Sequence, residues 1–365
     1  MSHNSSYDNI FLMLSLAVIG AGLFILTSAS LGLSTSRFGY PYYYLFHQAL
    51  FGLLPGLLLM YTAYKIPYTF WRNWALPLLL VSIFLMFLVF VPKIGFFYGG
   101  ARRWISIGRF SFQPSEFLKF SFIVYLASWL ESRSKQVRSF TFGLLPFSIM
   151  SGFIASFLVI QPDLGTLLVL LLSVLALFFL SGGRIKQIGM LILVGVFLLV
   201  GLILVEPYRL SRVTTFLNPS SDPKGAGYQI NQALIAVGSG GILGKGFGLS
   251  RQKFSYLPEP IGDSIFAIFS EEMGFVGSLF LLLLFFLIFV RGFSVVMRAP
   301  DLFGQLLGSG ILFLIIFQVL INIAAIIGIM PLTGIPLSFV SYGGSALALM
   351  LGELGIILNI SKRRV

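Results

Sequence analysis

A chain of 365 residues with 57% hydrophobic and only 10% charged side chains cannot be a soluble globular domain, which carries about a quarter charged residues. Its apolar runs are too long for a membrane β-barrel, and the net charge of +12 comes with no expected nucleic-acid partner. The absence of cysteine removes disulfides and thiol chemistry, and two histidines give little basis for a His-ligated metal.

Ten apolar segments follow in chain order, at roughly 10–32, 45–64, 74–92, 114–131, 141–160, 164–181, 188–206, 263–290, 303–328 and 338–360, each near or above the length that crosses a bilayer. The first lacks a basic n-region and an A-x-A-like site, so it reads as a retained span. Spans five and six are separated only by Gln161, Pro162 and Asp163, which predicts a tight hairpin. The connection from about 207 to 262 is rich in Gly, Ser, Pro and charge; loops of that length are functional or disordered. The expected fold is an all-α polytopic membrane protein of a single domain, residues 1–365, with its long extracytoplasmic loop between helices 7 and 8.

Ten spans put both termini on one side. Placing them in the cytoplasm leaves twelve basic residues in short inner loops and the tail, Arg363 and Arg364 among them. Five lie in short outer loops: Arg37, Lys93, Arg102, Arg103 and Arg109. The bias supports an N-in, C-in topology. Six further cations fall in the long outer loop: Arg209, Arg212, Lys224, Lys245, Arg251 and Lys253. Cations gathered at an outer boundary suggest an anionic partner such as a phosphate or pyrophosphate headgroup, although lone residues such as Arg37 can simply snorkel. Arg102 and Arg103 stand beside Trp104, a ring suited to the interface or to stacking on a sugar.

Four polar entries interrupt the hydrocarbon. In QPSEFLK, Gln113 precedes Pro114 at a helix start, and Glu116 and Lys119 share a helix face where they can neutralise one another. In IQPDLGT, Asp163 can cap the sixth span or complement an outer arginine. GYQINQALIAVGSGGILGKGFG, residues 227–248, has glycines that can support close approach to a ligand but is no P-loop; a re-entrant or interfacial segment fits it better. GIPLSFVSYGGSALA contains Ser341 and packing glycines for the last span.

The most informative stretch is FSYLPEPIGDSIFAIFSEEMGFVGS, residues 254–278. A Pro-punctuated loop with Glu259 delivers Asp263 to the mouth of an apolar segment, and Glu271 and Glu272 follow two turns further in. Carboxylates there are costly and mark a substrate or ion path. Asp263 can equally be an N-cap, and the residues alone leave both readings open.

Together, ARRWI–QPSEFLK, QPDLGT, YLPEPIGDSIFAIFSEEMGFVGS and LTGIPLSFVSYGGSALA resemble the SEDS family, the polytopic FtsW and RodA proteins of bacterial division and elongation, from about Phe11 to Arg364. The wording of the basic tail and of ARRWIS–FSFQPSEF is slightly nearer FtsW. The resemblance implies a ten-helix glycosyltransferase of the bacterial cytoplasmic membrane that polymerises lipid II at the outer face. It also implies a class B penicillin-binding transpeptidase partner and an essential aspartate at Asp263. The chain departs from the family in IGDS where HTDF is common and in Ser338 where PLPF has proline.

On this reading Asp263 is catalytic, taking the acceptor proton or holding a divalent cation such as Mg2+ or Mn2+. Arg102, Arg103, Trp104, Lys245, Arg251 and Lys253 bind the pyrophosphate-linked donor. Gln113, Glu116, Lys119, Asp163, Glu259 and Ser341 support the cavity. The competing reading is a lipid II flippase, for which intramembrane Glu116, Lys119, Glu271, Glu272 and Glu353 would serve as well.

Overall fold

The computed structural model describes residues 7–98, 101–107, 110–222, 225–254 and 256–362, so Arg109, Lys224, Arg363 and Arg364 lie outside the described residues. Apolar periodicity yields α1 (Asn9–Phe38), α2 (Tyr43–Lys65), α3 (Ala75–Leu88), α4 (Pro114–Ser132), α5 (Phe140–Ile160) and α6 (Leu164–Leu180). There follow α7 (Ile185–Val205), α8 (Pro207–Leu217), α9 (Ala226–Ser239), α10 (Ile265–Val296), α11 (Leu302–Ile326) and α12 (Gly344–Ser361). Among the described residues seven helices, α1, α2, α5, α7, α10, α11 and α12, are long and apolar enough to cross a membrane. Helices α3 and α6 are apolar but shorter, at 14 and 17 residues. Helix α4 carries Glu116, Lys119 and Glu131 and is mostly buried inside the bundle.

Burial sorts these helices. Helices α4, α11 and α12 bury most of their length, whereas α7 buries none of its residues and stands at the periphery. Small residues let α2 lie directly on α12: a Cβ on Gly52 would stand 3.1 Å from the Gly344 Cα, and one on Gly56 would stand 3.0 Å from the Ala348 Cα. Close backbone approach of this kind replaces the hydrophobic drive that lipid cannot supply.

Three segments differ from the expectation. The third apolar run stops being helical after Leu88, and a three-stranded antiparallel sheet follows: β1 (Gly95–Tyr98), β2 (Ala101–Ile107) and β3 (Phe110–Phe112). Aromatic and β-branched residues at alternate positions favour strand there. Trp104 lies opposite Phe96, and Ile105 opposite both Gly95 and Phe112. The last helix begins at Gly344, not near 338, because residues 331–343, with Pro331 and Pro336, form an irregular strap across the bundle.

The long connection is folded. Helix α8 is tied to the bundle by Arg209, whose guanidinium donates to the carbonyls of Leu202 at 3.1 Å and Val159 at 3.2 Å. Helix α9 packs on α10, and the glycine-rich stretch after it is spliced into α10 itself. Gly274 has φ 66° and ψ −165°, which breaks that helix. The freed carbonyls of Glu271 and Glu272 accept from the amides of Lys245 and Gly246, both at 3.0 Å. The freed amides of Phe275 and Val276 donate to Gly241 and Ile242, at 2.9 and 3.1 Å. A Cβ on Gly244 would sit 2.1 Å from the Glu272 carbonyl oxygen. Gly240, whose Cβ would sit 2.1 Å from the Ser270 carbonyl oxygen, and Gly244 therefore serve a close approach to α10.

Candidate active site

Asp263 sits in a turn whose carbonyls are fixed one after another. The amides of Gly262 and Ser264 donate back to the Glu259 carbonyl at 3.0 and 3.3 Å. The Tyr342 amide donates to the Ile261 carbonyl at 2.8 Å. Ser341 Oγ donates to the Gly262 carbonyl at 2.7 Å and accepts from the Leu337 amide at 2.8 Å. Asn322 Nδ2 donates to the Asp263 carbonyl at 2.8 Å. Helix α11 and the 331–343 strap thus define where this aspartate stands.

Its carboxylate accepts from Gln229 Nε2 on α9 and from Ser264 Oγ, each at 3.3 Å. Neither partner is an amide of α10, whose N-cap position is Ser264. The N-cap reading of Asp263 therefore has no hydrogen bond behind it. Burial pushes the Asp263 carboxyl up to about 6; the Glu259 carboxylate adds to the rise, while Ser264, Gln229 and the Arg212 guanidinium oppose it. Arg212, on α8, also donates to the Leu332 carbonyl at 3.1 Å. A cation, a carboxamide and a carboxylate of intermediate acidity thus meet at one end of the bundle. Such a group can take a proton near neutral pH. On the same helix α9, Tyr228, Asn231 and Gln232 line an open groove of about 660 Å³.

The other expected site residues separate into groups. Glu271 and Glu272 lie one turn before the α10 break. Glu271 pairs with Lys245 at 2.6 Å and accepts from Ser250 Oγ at 2.5 Å and the Arg251 amide at 3.3 Å. Glu272 pairs with Lys253 at 2.8 Å, and Ser28 Oγ donates to it at 2.6 Å. Lys253 is 1% exposed. The assignment of Lys253 to a phosphate is thereby corrected, because its buried ammonium neutralises Glu272 inside a hydrophobic span; Lys245 neutralises Glu271 while keeping an exposed side chain. Arg251 keeps an exposed side chain.

At the small sheet, Arg102 is exposed, whereas Arg103 turns inward and donates to the carbonyls of Gln161 (3.3 Å) and Pro162. Arg103 thus clamps β2 to the turn between α5 and α6. In that turn Asp163 caps α6, accepting from the Thr166 amide at 3.2 Å and hydroxyl at 2.9 Å. Trp104 is half-buried. Gln113 precedes α4, its carbonyl accepting from the Glu116 amide at 3.2 Å, with no side-chain cap.

Glu116 and Lys119 form an ion pair at 2.8 Å, both 5% exposed or less. Lys119 also donates to Gln318 Oε1 at 2.6 Å. With Glu353 these side chains line a cavity of about 10 Å³, room for about one water. No group of three or more His, Cys, Asp or Glu able to hold a metal occurs among the described residues. Asp263 could still share a divalent cation with phosphate oxygens and water, since Mg2+ usually takes one or two carboxylates plus substrate phosphate.

Three residues of this end of the molecule were not singled out from sequence, Gln229, Gln318 and Asn322, and Arg212 was named only as one of the loop cations. Gln229 lies in the GYQINQ motif, Arg212 among the six loop cations, and the two helix amides are rare polar breaks in an apolar span.

The FtsW/RodA/SpoVE family model, described as a cell cycle protein, matches residues 8–365. The chain is 42% identical over 360 residues to stage V sporulation protein E of Bacillus subtilis, covering 98% of both. It is 37% identical to a probable peptidoglycan glycosyltransferase FtsW of Geobacter sp., covering 100% of this chain and 99% of the other. Among solved structures it resembles a chain of a peptidoglycan synthase complex that coordinates polymerization and crosslinking, with TM-score 0.78, 31% identity and 97% of each chain covered. It also resembles the rod shape determining protein RodA of Thermus thermophilus, with TM-score 0.72, 29% identity and 98% and 97% covered. The chain belongs to the SEDS family, the FtsW, RodA and SpoVE proteins.

Proposed function

We propose that this multi-pass membrane protein is a peptidoglycan glycosyltransferase that polymerises lipid II, with Asp263 at the reacting centre. The observation that carries the assignment is the partly buried Asp263 carboxyl, raised to about 6, on a turn held by Tyr342, Ser341 and Asn322. In the reaction an acceptor sugar hydroxyl forms a bond to the anomeric carbon of a lipid-linked donor. The bond from that carbon to the pyrophosphate oxygen breaks, and the hydroxyl proton passes to Asp263. Since the donor linkage is axial and the product link β, one inverting displacement suffices. Arg212, whose charge acts on Asp263, would meet the leaving pyrophosphate, with the exposed Arg102 and Arg251 as further cations for the donor. Tyr228, Asn231 and Gln232 offer the acceptor strand a ring and two amides.

A divalent cation such as Mg2+ or Mn2+, held by Asp263 and the donor phosphates, would add charge neutralisation at the leaving group. The site would face outward from the bacterial cytoplasmic membrane, with N- and C-termini inside. The relative in a synthase complex supports a class B penicillin-binding transpeptidase as partner. Purified protein in detergent, given lipid II with and without chelator, tests the reading. Polymer should form with the parent and not with Asp263→Asn. Full turnover by a well-folded Asp263→Asn variant would remove Asp263 from the chemistry. Transport of lipid II between leaflets of a vesicle without polymer formation in detergent would favour the flippase.

A further inference from the structure

Helix α11 buries two carboxamides one turn apart, Gln318 and Asn322, each 1% exposed. Spaced i and i+4, they share one helix face. Gln318 accepts from Lys119 at 2.6 Å and donates through Nε2 to the Pro336 carbonyl at 3.1 Å. Asn322 donates through its single Nδ2 to two carbonyls, Ile335 at 2.7 Å and Asp263 at 2.8 Å. The orientation of this amide is forced. Turning it over would set its oxygen against two carbonyl oxygens, while its own Oδ1 accepts no hydrogen bond.

We infer that Gln318 and Asn322 form a carboxamide ladder that ties the buried Glu116–Lys119 pair to the turn carrying Asp263, and that both are positioning residues for the transfer reaction. The inference rests on the proposed role of Asp263. Each rung holds one of two consecutive strap carbonyls, Ile335 and Pro336, and the upper rung also holds the Asp263 backbone. The lower rung is itself fixed by Lys119, whose charge Glu116 compensates. An intramembrane ion pair thereby sets, through two amides, where a carboxylate at the bundle end stands. Neutral amides suit the task because they give two-sided bonding without adding charge to the span.

The test uses the full-length protein in detergent with lipid II, reading kcat, KM and the acid limb of the pH–rate profile. Asn322→Leu, with the same number of side-chain heavy atoms but no donor, should lower kcat roughly ten- to a hundredfold, as a misplaced reacting group does, with KM within about twofold. Its acid limb should move below that of the parent, because an untethered Asp263 is better solvated. Gln318→Glu keeps an acceptor for Lys119 but loses the donor to Pro336, so it should fall in kcat as far as Gln318→Met. It also supplies the decisive comparison if Asn322→Leu fails to fold. Folded variants with parental kcat and parental acid limb would overturn the ladder. That outcome is distinct from failure of the Asp263 assignment itself, which would appear as full activity in Asp263→Asn.

Discussion

The Lys253 ammonium lies 2.8 Å from the Glu272 carboxylate, and neither side chain is more than 3% exposed. Between them they join the loop before Asp263 to the first half of α10. Removing one partner of a buried pair leaves an uncompensated charge and costs about 3–5 kcal/mol. Lys253→Met should therefore lower the melting temperature in detergent sharply, and Lys253→Met with Glu272→Leu should recover much of the loss. If the single variant melts with the parent, the pair is not buried in the membrane-embedded protein.

The acid limb follows from Asp263. Its carboxyl titrates near 6, above the ordinary carboxylate range, so the protonated form dominates below that pH and cannot accept a proton. Polymerisation should rise with pH through about 6. Glu259 contributes to the rise as a like charge, so Glu259→Gln should shift the limb to lower pH. A limb that stays in place in Glu259→Gln would show that burial alone sets the acidity of Asp263.

The two arginines at the sheet should behave differently. Arg103 donates to two carbonyls of the 161–162 turn, so Arg103→Ala should lower thermal stability and loosen β2. Arg102 is exposed, so Arg102→Ala should leave the melting temperature near the parent's and raise KM for the donor. A charge-assisted contact contributes about 1.5–3 kcal/mol, which sets the KM effect at roughly ten- to a hundredfold. Equal KM effects from Arg102→Ala and the control Arg184→Ala would mean that Arg102 only anchors lipid.

Glu116 and Lys119 offer a cleaner separation of stability from activity. Either single apolar substitution should cost several kcal/mol, and the double substitution should restore much of it. Since Lys119 also holds Gln318, the double variant should be stable yet slow. A stable and fully active double variant would make the pair structural only.

What was legible in the sequence, and what was not, divides along one physical line. Glu116 and Lys119 announce themselves because their partner is three residues away, and Asp263 because a carboxylate at a helix mouth is conspicuous. Lys253 and Glu272 are each conspicuous too, but their pairing spans 19 residues and a loop-to-helix junction, so the lysine reads as an outward cation. Asn322 reaches a carbonyl 59 residues away, and nothing in composition or period marks such a bond. The seven long apolar helices follow from hydropathy, whereas the β-sheet at 95–112 depends on strand pairing within a stretch that reads only as a basic loop between two apolar runs.

The break at Gly274 bears on how the protein is made. A helix with a gap in its ladder cannot settle in hydrocarbon alone, because each unsatisfied backbone group there costs several kcal/mol. The donors and acceptors that fill the gap lie between Gly241 and Gly246, and they leave the ribosome before α10 does. Synthesis therefore delivers the filler first and the broken span second. Membrane integration of α10 should then depend on prior placement of the preceding loop, and a lesion in the GSGGILGKG stretch is expected to lower the amount of protein in the membrane before it lowers turnover.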